Sequence, residues 1–225
     1  HMNKILEIDM QNMVAVVPPG VVNILTGPGL PTGAAITAHM GIDKVAFTGS
    51  TEVGRKVMEA AAHSNLKRVS LELGGKSPNV IFADADLGKA VKGALWAAFS
   101  SAGQECVAGS RLFVERPIYQ QVLAGLAEEA GKVRMGEGFS KVHLGPIISE
   151  RQMARILGYI EQGRQGGAEL LAGGQRIGGE LASGYFLQPT VFACADDTLA
   201  IMREEIFGPV AAVTAFDDWD ELVQR

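Results

Sequence analysis

Apolar positions along this chain recur at two spacings, three to four residues apart in some stretches and two apart or unbroken in others, and the two alternate. Val21–Leu25 reads as a short buried-type strand, Thr32–Met40 as a helix, Lys44–Thr48 as a strand, Glu52–His63 as a helix and Lys67–Leu73 as a third strand. Asn79–Ala83 is a further strand. Asp86 then caps a helix with Ala90, Val91, Ala94, Leu95, Ala98 and Phe99 on one side, ended by Gly103. Arg111–Glu115 alternates like a strand, and Pro117–Val133 carries Ile118, Val122, Leu126, Ala130 and Val133 on one helical face. Ser149 with Gln152 has the spacing of a capping box opening another helix. Gly163–Gly184 is glycine-rich around a short Glu169–Leu171 strand; Thr190–Phe192 and Val210–Phe216 are strands, and Asp218 opens a last helix. Asn3–Pro18 follows neither period. Strands alternating with helices over the whole length predict an α/β architecture with a largely parallel sheet.

Composition narrows the function classes. The 225 residues are 47% apolar and 20% charged, which is globular, and a net charge of −5 argues against nucleic acid or an anionic membrane as partner. No apolar run approaches the roughly eighteen residues of a spanning helix, and no signal peptide is visible. Two distant cysteines offer no disulfide framework, which fits a reducing, cytoplasmic setting; His1-Met2 reads as a cloning remnant.

Three stretches carry chemistry. Cys106 sits between a helix and a strand, in Gly103-Gln104-Glu105-Cys106, where a thiol serves as a nucleophile or packs as a small buried hydrophobe. Glu72, between two leucines, is a general base if buried with a raised pKa and an ordinary carboxylate if its strand edge faces water; the bare backbone of Gly74-Gly75 follows it. Strand, Gly49-Ser50-Thr51 and helix form the arrangement in which unpaired helix amides face a phosphate, with Ser50 as a further donor, although Glu52 satisfies the helix dipole without a ligand. Gly27–Gly33 is spaced one residue too long for a dinucleotide fingerprint, and its two prolines favour a turn. Cys194 reads as buried and inert.

Phe99-x-x-x-Gly103-Gln104-x-Cys106 resembles the active-site signature of the aldehyde dehydrogenase superfamily. Leu71-Glu72-Leu73-Gly74-Gly75-Lys76-Ser77-Pro78 resembles its glutamate motif. Phe47-Thr48-Gly49-Ser50-Thr51-Glu52-Val53-Gly54 and Glu204-Glu205-Ile206-Phe207-Gly208-Pro209-Val210 match two more, in the family's order. The resemblance implies a partial Rossmann-type cofactor domain over 19–73, after an unassigned segment 1–18, and an α/β catalytic domain over 74–225. It implies that Cys106 is the nucleophile and Glu72 the base that activates the deacylating water. Gly49, Ser50 and Val53, Leu73 and Gly74, and Glu205 and Phe207 would contact NAD or NADP, with Glu205 on the nicotinamide ribose and Phe207 beside the ring. The implied reaction oxidises a small-molecule aldehyde to its acid through a thiohemiacetal and thioester, with Cys106 and Glu72 converging on one carbonyl.

The resemblance covers the middle of a longer family. The first cofactor strands, the upstream Asn that completes the oxyanion hole, the residues holding the adenosine ribose and the C-terminal strand used in homo-oligomer assembly have no counterpart. On this reading the chain is a truncated product that turns over poorly alone. Two other classes stay open: a cofactor-independent ester or thioester hydrolase using Cys106 and Glu72, and a non-catalytic fragment whose cut sheet edges seek partners.

Overall fold

In a computed structural model of the chain, residues 6–9 and 24–225 are described. They divide into two compact units, His1–Gly74 and Gly75–Arg225.

In the first unit, β1 (Leu6–Asp9), β2 (Lys44–Gly49) and β3 (Arg68–Leu73) form a parallel sheet in the order β1-β2-β3. Among the described residues two helices accompany it: α1 (Ala34–Ala38) and α2 (Thr51–Ala62). The core is small, built on Val45, Phe47 and Val57 with Val53, Val69, Leu71 and Leu73 packed around it. The β1 strand lies within the stretch whose pattern fitted neither period. The strand expected at Val21–Leu25 is not borne out where it is described: Ile24 and Leu25 are 65% and 60% exposed and lie outside any strand, while 21–23 fall outside the described residues. The helix expected over Thr32–Met40 is shortened to α1, because a wide turn over Gly29–Gly33, with two prolines before and within it, precedes the regular helix.

In the second unit five strands lie in the order β4-β5-β8-β7-β6. They are β4 (Pro78–Ile81), β5 (Arg111–Glu115), β6 (Glu169–Ala172), β7 (Thr190–Ala193) and β8 (Val210–Phe216). All pairings are parallel except that of β6 with β7. Alternation along the central strands sends Leu112, Val114, Val191, Ala211 and Val213 to one face and Phe113, Phe192, Val210, Ala212 and Phe216 to the other. Helices α3 (Leu87–Phe99) and α4 (Tyr119–Gly131) cover the first face. The second is covered by α5 (Glu150–Gln165) and the short α6 (Ala200–Arg203); α7 (Trp219–Gln224) closes the chain. The result is a three-layer α/β unit whose central strands, apolar on both faces, read as near-continuous hydrophobic runs.

The expected caps form. Asp86 accepts from the N–H of Lys89, Ser149 from that of Gln152 and Asp218 from that of Glu221. The capping box does not close, because the Gln152 side chain donates instead to the carbonyls of Ile206 and Phe207. Helix α3 stops at Phe99, four residues before the glycine expected to end it, and a tight turn over Ser100–Gly103 follows. Pro117 lies in a short turn, Arg116–Ile118, ahead of α4.

Candidate active site

In the first unit the candidate residues gather at the carboxyl ends of two adjacent parallel strands. The β2/β3 register pairs Thr48 with Glu72 and Gly49 with Leu73, so Gly49-Ser50 and Glu72-Leu73-Gly74 leave the sheet side by side. That edge of an open parallel sheet is where α/β proteins bind ligands. The Ser50 hydroxyl accepts from the Val53 N–H at 3.3 Å as the α2 cap, and its own hydrogen stays available to a phosphate. The N–H groups of Thr51 and Glu52 have no partner among the described residues. Glu52 pairs with Lys56 at 2.6 Å on the exposed helix surface. Val53 is half-buried on the small core, and Gly54 lies so close to Leu73 that a Cβ would press its methyl groups.

Of the two readings of Glu72, the structure favours the strand edge that faces water. Its strand is at the sheet edge and alternates, with Val69, Leu71 and Leu73 half-buried and Arg68, Ser70 and Glu72 exposed. The two flanking leucines point to the other face, so their apolar character does not bury the carboxylate.

In the second unit three segments converge at the amino ends of three neighbouring strands: Gly75–Ser77 before β4, Ala102–Ser110 before β5, and Glu204–Pro209 before β8. The thiol of Cys106 is exposed on a turn closed by the Ala108 N–H donating to the Glu105 carbonyl at 3.2 Å. Ser101, Ala102 and Gly103 precede it with φ of 51°, 58° and 68°, three left-handed residues in succession. Gly103 packs against the Gly208 carbonyl so closely that any Cβ would overlap it, which joins the Cys106 loop to the Glu205–Phe207 segment.

That segment is held by α5. Gln152 donates to the carbonyls of Ile206 and Phe207 at 3.0 and 2.9 Å, Arg155 to that of Glu205 at 2.8 Å, and the Tyr159 hydroxyl to the Glu204 carboxylate at 2.7 Å. The three holders fall on one helical face, and Phe207 takes a left-handed φ of 57° between them. Glu205 is therefore not the solvated helix end that its charged neighbours suggest. Its Oε1 is buried without a hydrogen-bond partner among the described residues. Burial raises its pKa, opposed by the Gly75 N–H and by the charges of Arg155 and Lys76.

Lys76 Nζ and Arg111 Nε are likewise buried and unpartnered among the described residues. Burial, and then the charge of Arg111, push the Lys76 ammonium down to about 8, against the pull of Cys194 and Glu205. Sequence reasoning passed over Lys76, Arg111 and Arg155 and gave Gln152 only a capping role. The first two had a readable signal, as cations that follow glycine or serine where the chain enters a strand.

The two units thus hold two groups of candidates, Gly49, Ser50, Val53, Glu72, Leu73 and Gly74 in one, Cys106, Glu205 and Phe207 in the other. Both groups suit a dinucleotide. A helix start with free N–H groups fits a pyrophosphate, and a buried, unpartnered carboxylate oxygen fits a sugar hydroxyl. Cys194 is 3% exposed, and burial pushes its thiol up to about 12, in keeping with an inert role. Among the described residues no cluster could hold a metal ion.

The model of the aldehyde dehydrogenase family matches residues 8–225. The chain belongs to that family. An aldehyde dehydrogenase of Agaricus bisporus is 52% identical over 209 residues, 92% of this chain and 41% of that one. The rat (Rattus norvegicus) retinal dehydrogenase 2 is 51% identical over 92% of this chain and 40% of its own. Among solved structures, the indole-3-acetaldehyde dehydrogenase of P. syringae, a variant in complex with NAD+ and IAA, aligns with a TM-score of 0.88 at 41% identity, over 92% of this chain and 42% of that chain. The chain therefore spans about 40% of the length of the curated aldehyde dehydrogenases it matches.

Proposed function

We propose that these residues are the core of an aldehyde oxidation that uses NAD or NADP and passes through a thioester on Cys106. The observation that carries the reading is an exposed thiol on a turn packed at Gly103 against the Gly208 carbonyl, in a chain whose residues 8–225 match the aldehyde dehydrogenase family model. The Cys106 sulfur, as thiolate, adds to the aldehyde carbon, and the Cys106 N–H donates to the oxyanion that forms. Loss of hydride from that carbon leaves the thioester. Glu72 takes a proton from water, the water oxygen attacks the thioester, and the C–S bond breaks to release the acid and the thiolate. The net change is R-CHO, NAD(P)+ and water to R-COOH, NAD(P)H and a proton.

The dinucleotide, when bound, supplies the hydride acceptor that side chains cannot. The residues on which the family motifs fall, Gly49, Ser50, Val53, Leu73, Gly74, Glu205 and Phe207, would be its contacts. Phe207 is half-buried and clamped through its carbonyl, which suits a ring that borders a flat ligand. Two free thiols support a cytoplasmic reading.

The test is NADH absorbance on mixing the chain with NAD+ and aliphatic or aromatic aldehydes. Cys106→Ala should abolish the signal, and Glu72→Gln should leave a single-turnover burst with a thioester trapped on Cys106, seen by mass spectrometry. Ester turnover that is indifferent to NAD+, with no aldehyde-dependent NADH, would replace oxidation by hydrolysis.

A further inference from the structure

Glu105, next in sequence to the candidate nucleophile, has a role that the family motif leaves blank. A negative charge beside a sulfur that must react as an anion is a cost. The geometry shows what offsets it. Glu105 Oε1 accepts from the Ser101 hydroxyl at 2.7 Å and from the Ser100 hydroxyl at 3.1 Å. Those serines open the turn whose next residues stay left-handed, and each left-handed residue that is not glycine costs about 1–2 kcal/mol.

Two other devices tie the loop to its neighbours. Gly103 lies on the Gly208 carbonyl, and the Gln104 side chain donates to the carbonyls of Ser101 and Pro146 and accepts from the Ile148 N–H at 2.9 Å. Glu105 spans the left-handed turn through both serine hydroxyls, from the residue that adjoins Cys106. Among the described residues the Cys106 N–H donates to nothing, so its direction is set by this turn.

We propose that Glu105 is a positioning residue: its carboxylate, by gathering the hydroxyls of Ser100 and Ser101, locks the left-handed turn and fixes where the Cys106 N–H points. The inference rests on the nucleophile reading of Cys106 and deepens it. It separates two reactions of one sulfur. Acetyl transfer from p-nitrophenyl acetate forms an S–C(acyl) bond through an oxyanion and expels p-nitrophenolate, so it needs the N–H in place. Alkylation by iodoacetamide displaces iodide at a saturated carbon and needs only an accessible thiolate.

Both rates are measured on Cys106 by mass spectrometry in the 225-residue chain. Glu105→Ala should slow acetylation by about tenfold or more while alkylation holds or quickens, since misplacement near the reacting atoms is costly for oriented steps alone. Ser100→Ala with Ser101→Ala should do the same, and it decides the matter if Glu105→Ala fails to fold. Glu105→Gln, which keeps a carbonyl oxygen at the same reach, should recover most of the acetylation rate. Acetylation and alkylation falling together, or a Gln variant as slow as Ala, would overturn the proposal. A wild-type chain that alkylates at Cys106 and never acetylates there would instead remove the nucleophile reading and this inference with it.

Discussion

The two units present their candidate residues at opposite ends of parallel strands, and they do so by different means. In the first unit Gly49-Ser50 and Glu72-Gly74 leave the carboxyl ends of β2 and β3, where strand, turn and helix start already supply bare backbone and free N–H groups. Among the described residues little else is built: Glu72 is exposed, and Ser50 caps its helix. In the second unit the amino ends of β4, β5 and β8 offer no such ready-made groups. The chain constructs them from left-handed turns at Ser101–Gly103 and Phe207, backbone in contact with backbone, and a helix face that grips four residues of the 204–207 segment. Architecture supplies the first group and specific side chains supply the second, so substitutions should bite harder in the second.

The largest effect expected lies between the second unit's own two thiols. Cys106 is exposed before β5, whereas Cys194 is buried after β7, where burial pushes its thiol up to about 12 and keeps it from reagent. Peptide mapping after brief iodoacetamide treatment at pH 7 should find Cys106 modified at least about a thousandfold faster. Comparable rates would mean that the carboxyl end of β7 opens as readily as the Cys106 turn. Gly103→Ala comes next. The new methyl group meets the Gly208 carbonyl, which is backbone and cannot swing away, at a φ of 68°. Left-handed strain and overpacking together should cost about 4 kcal/mol in denaturant unfolding of the second unit. A loss below about 1 kcal/mol would show that the turn is not held as described.

Lys76 gives a pH-dependent test of the same end. Its ammonium is lowered from 10.5 to about 8, so the folded chain carries the full cost of burying the charge below pH 8. Between about pH 8 and 10.5 the unfolded chain binds more protons than the folded one, and stability rises with pH across that window. The whole rise is about 3 kcal/mol, because each tenfold loss of proton affinity on folding is worth roughly 1.4 kcal/mol. Lys76→Met removes the charge at similar length and should raise stability at pH 7 by up to that amount while flattening the alkaline slope. An unchanged slope in unfolding curves taken from pH 7 to 10 would mean that the ammonium is solvated.

How much of this could be read from the residues depended on whether the signal was local. The strands β2, β3, β5 and β8 and the caps at Asp86, Ser149 and Asp218 were legible, because period and capping chemistry act over a few residues. Cys106 was singled out by its place between a helix and a strand as well as by its motif, Glu205 and Phe207 only by motif. Nothing in the Arg203-Glu204-Glu205 run reveals that Glu205 Oε1 is buried, since Gly75, Lys76 and Arg155, which act on this carboxyl group, lie far away in sequence. Gln152 departs from its expected role for the same reason: its spacing from Ser149 suits a capping box, and the carbonyls that claim it belong to Ile206 and Phe207. Glu72 departs in another way, because flanking leucines on a two-residue period describe the opposite face of the strand.

The smallest effect sharpens the comparison from the first unit's side. Ser50→Ala removes one acceptor, the oxygen that takes the Val53 N–H at 3.3 Å, and α2 keeps the Gly54 N–H to Ser50 carbonyl bond at 2.9 Å. The loss should be about 1 kcal/mol, the usual worth of a serine cap, seen as a modest shift of the first unit's unfolding midpoint. A dinucleotide held there chiefly by backbone N–H groups would lose only the hydroxyl's contribution, about 1 kcal/mol of binding or some fivefold in Kd. Ser50→Gly restores no acceptor yet relaxes the turn, so it should cost only a few tenths of a kcal/mol in stability while giving the same binding loss. Stability and binding moving apart in these two variants is the mark of a site supplied by the strand–turn–helix itself. Were Ser50→Ala to abolish binding outright, the first unit too would depend on one built side chain, and the contrast between the two ends would be gone.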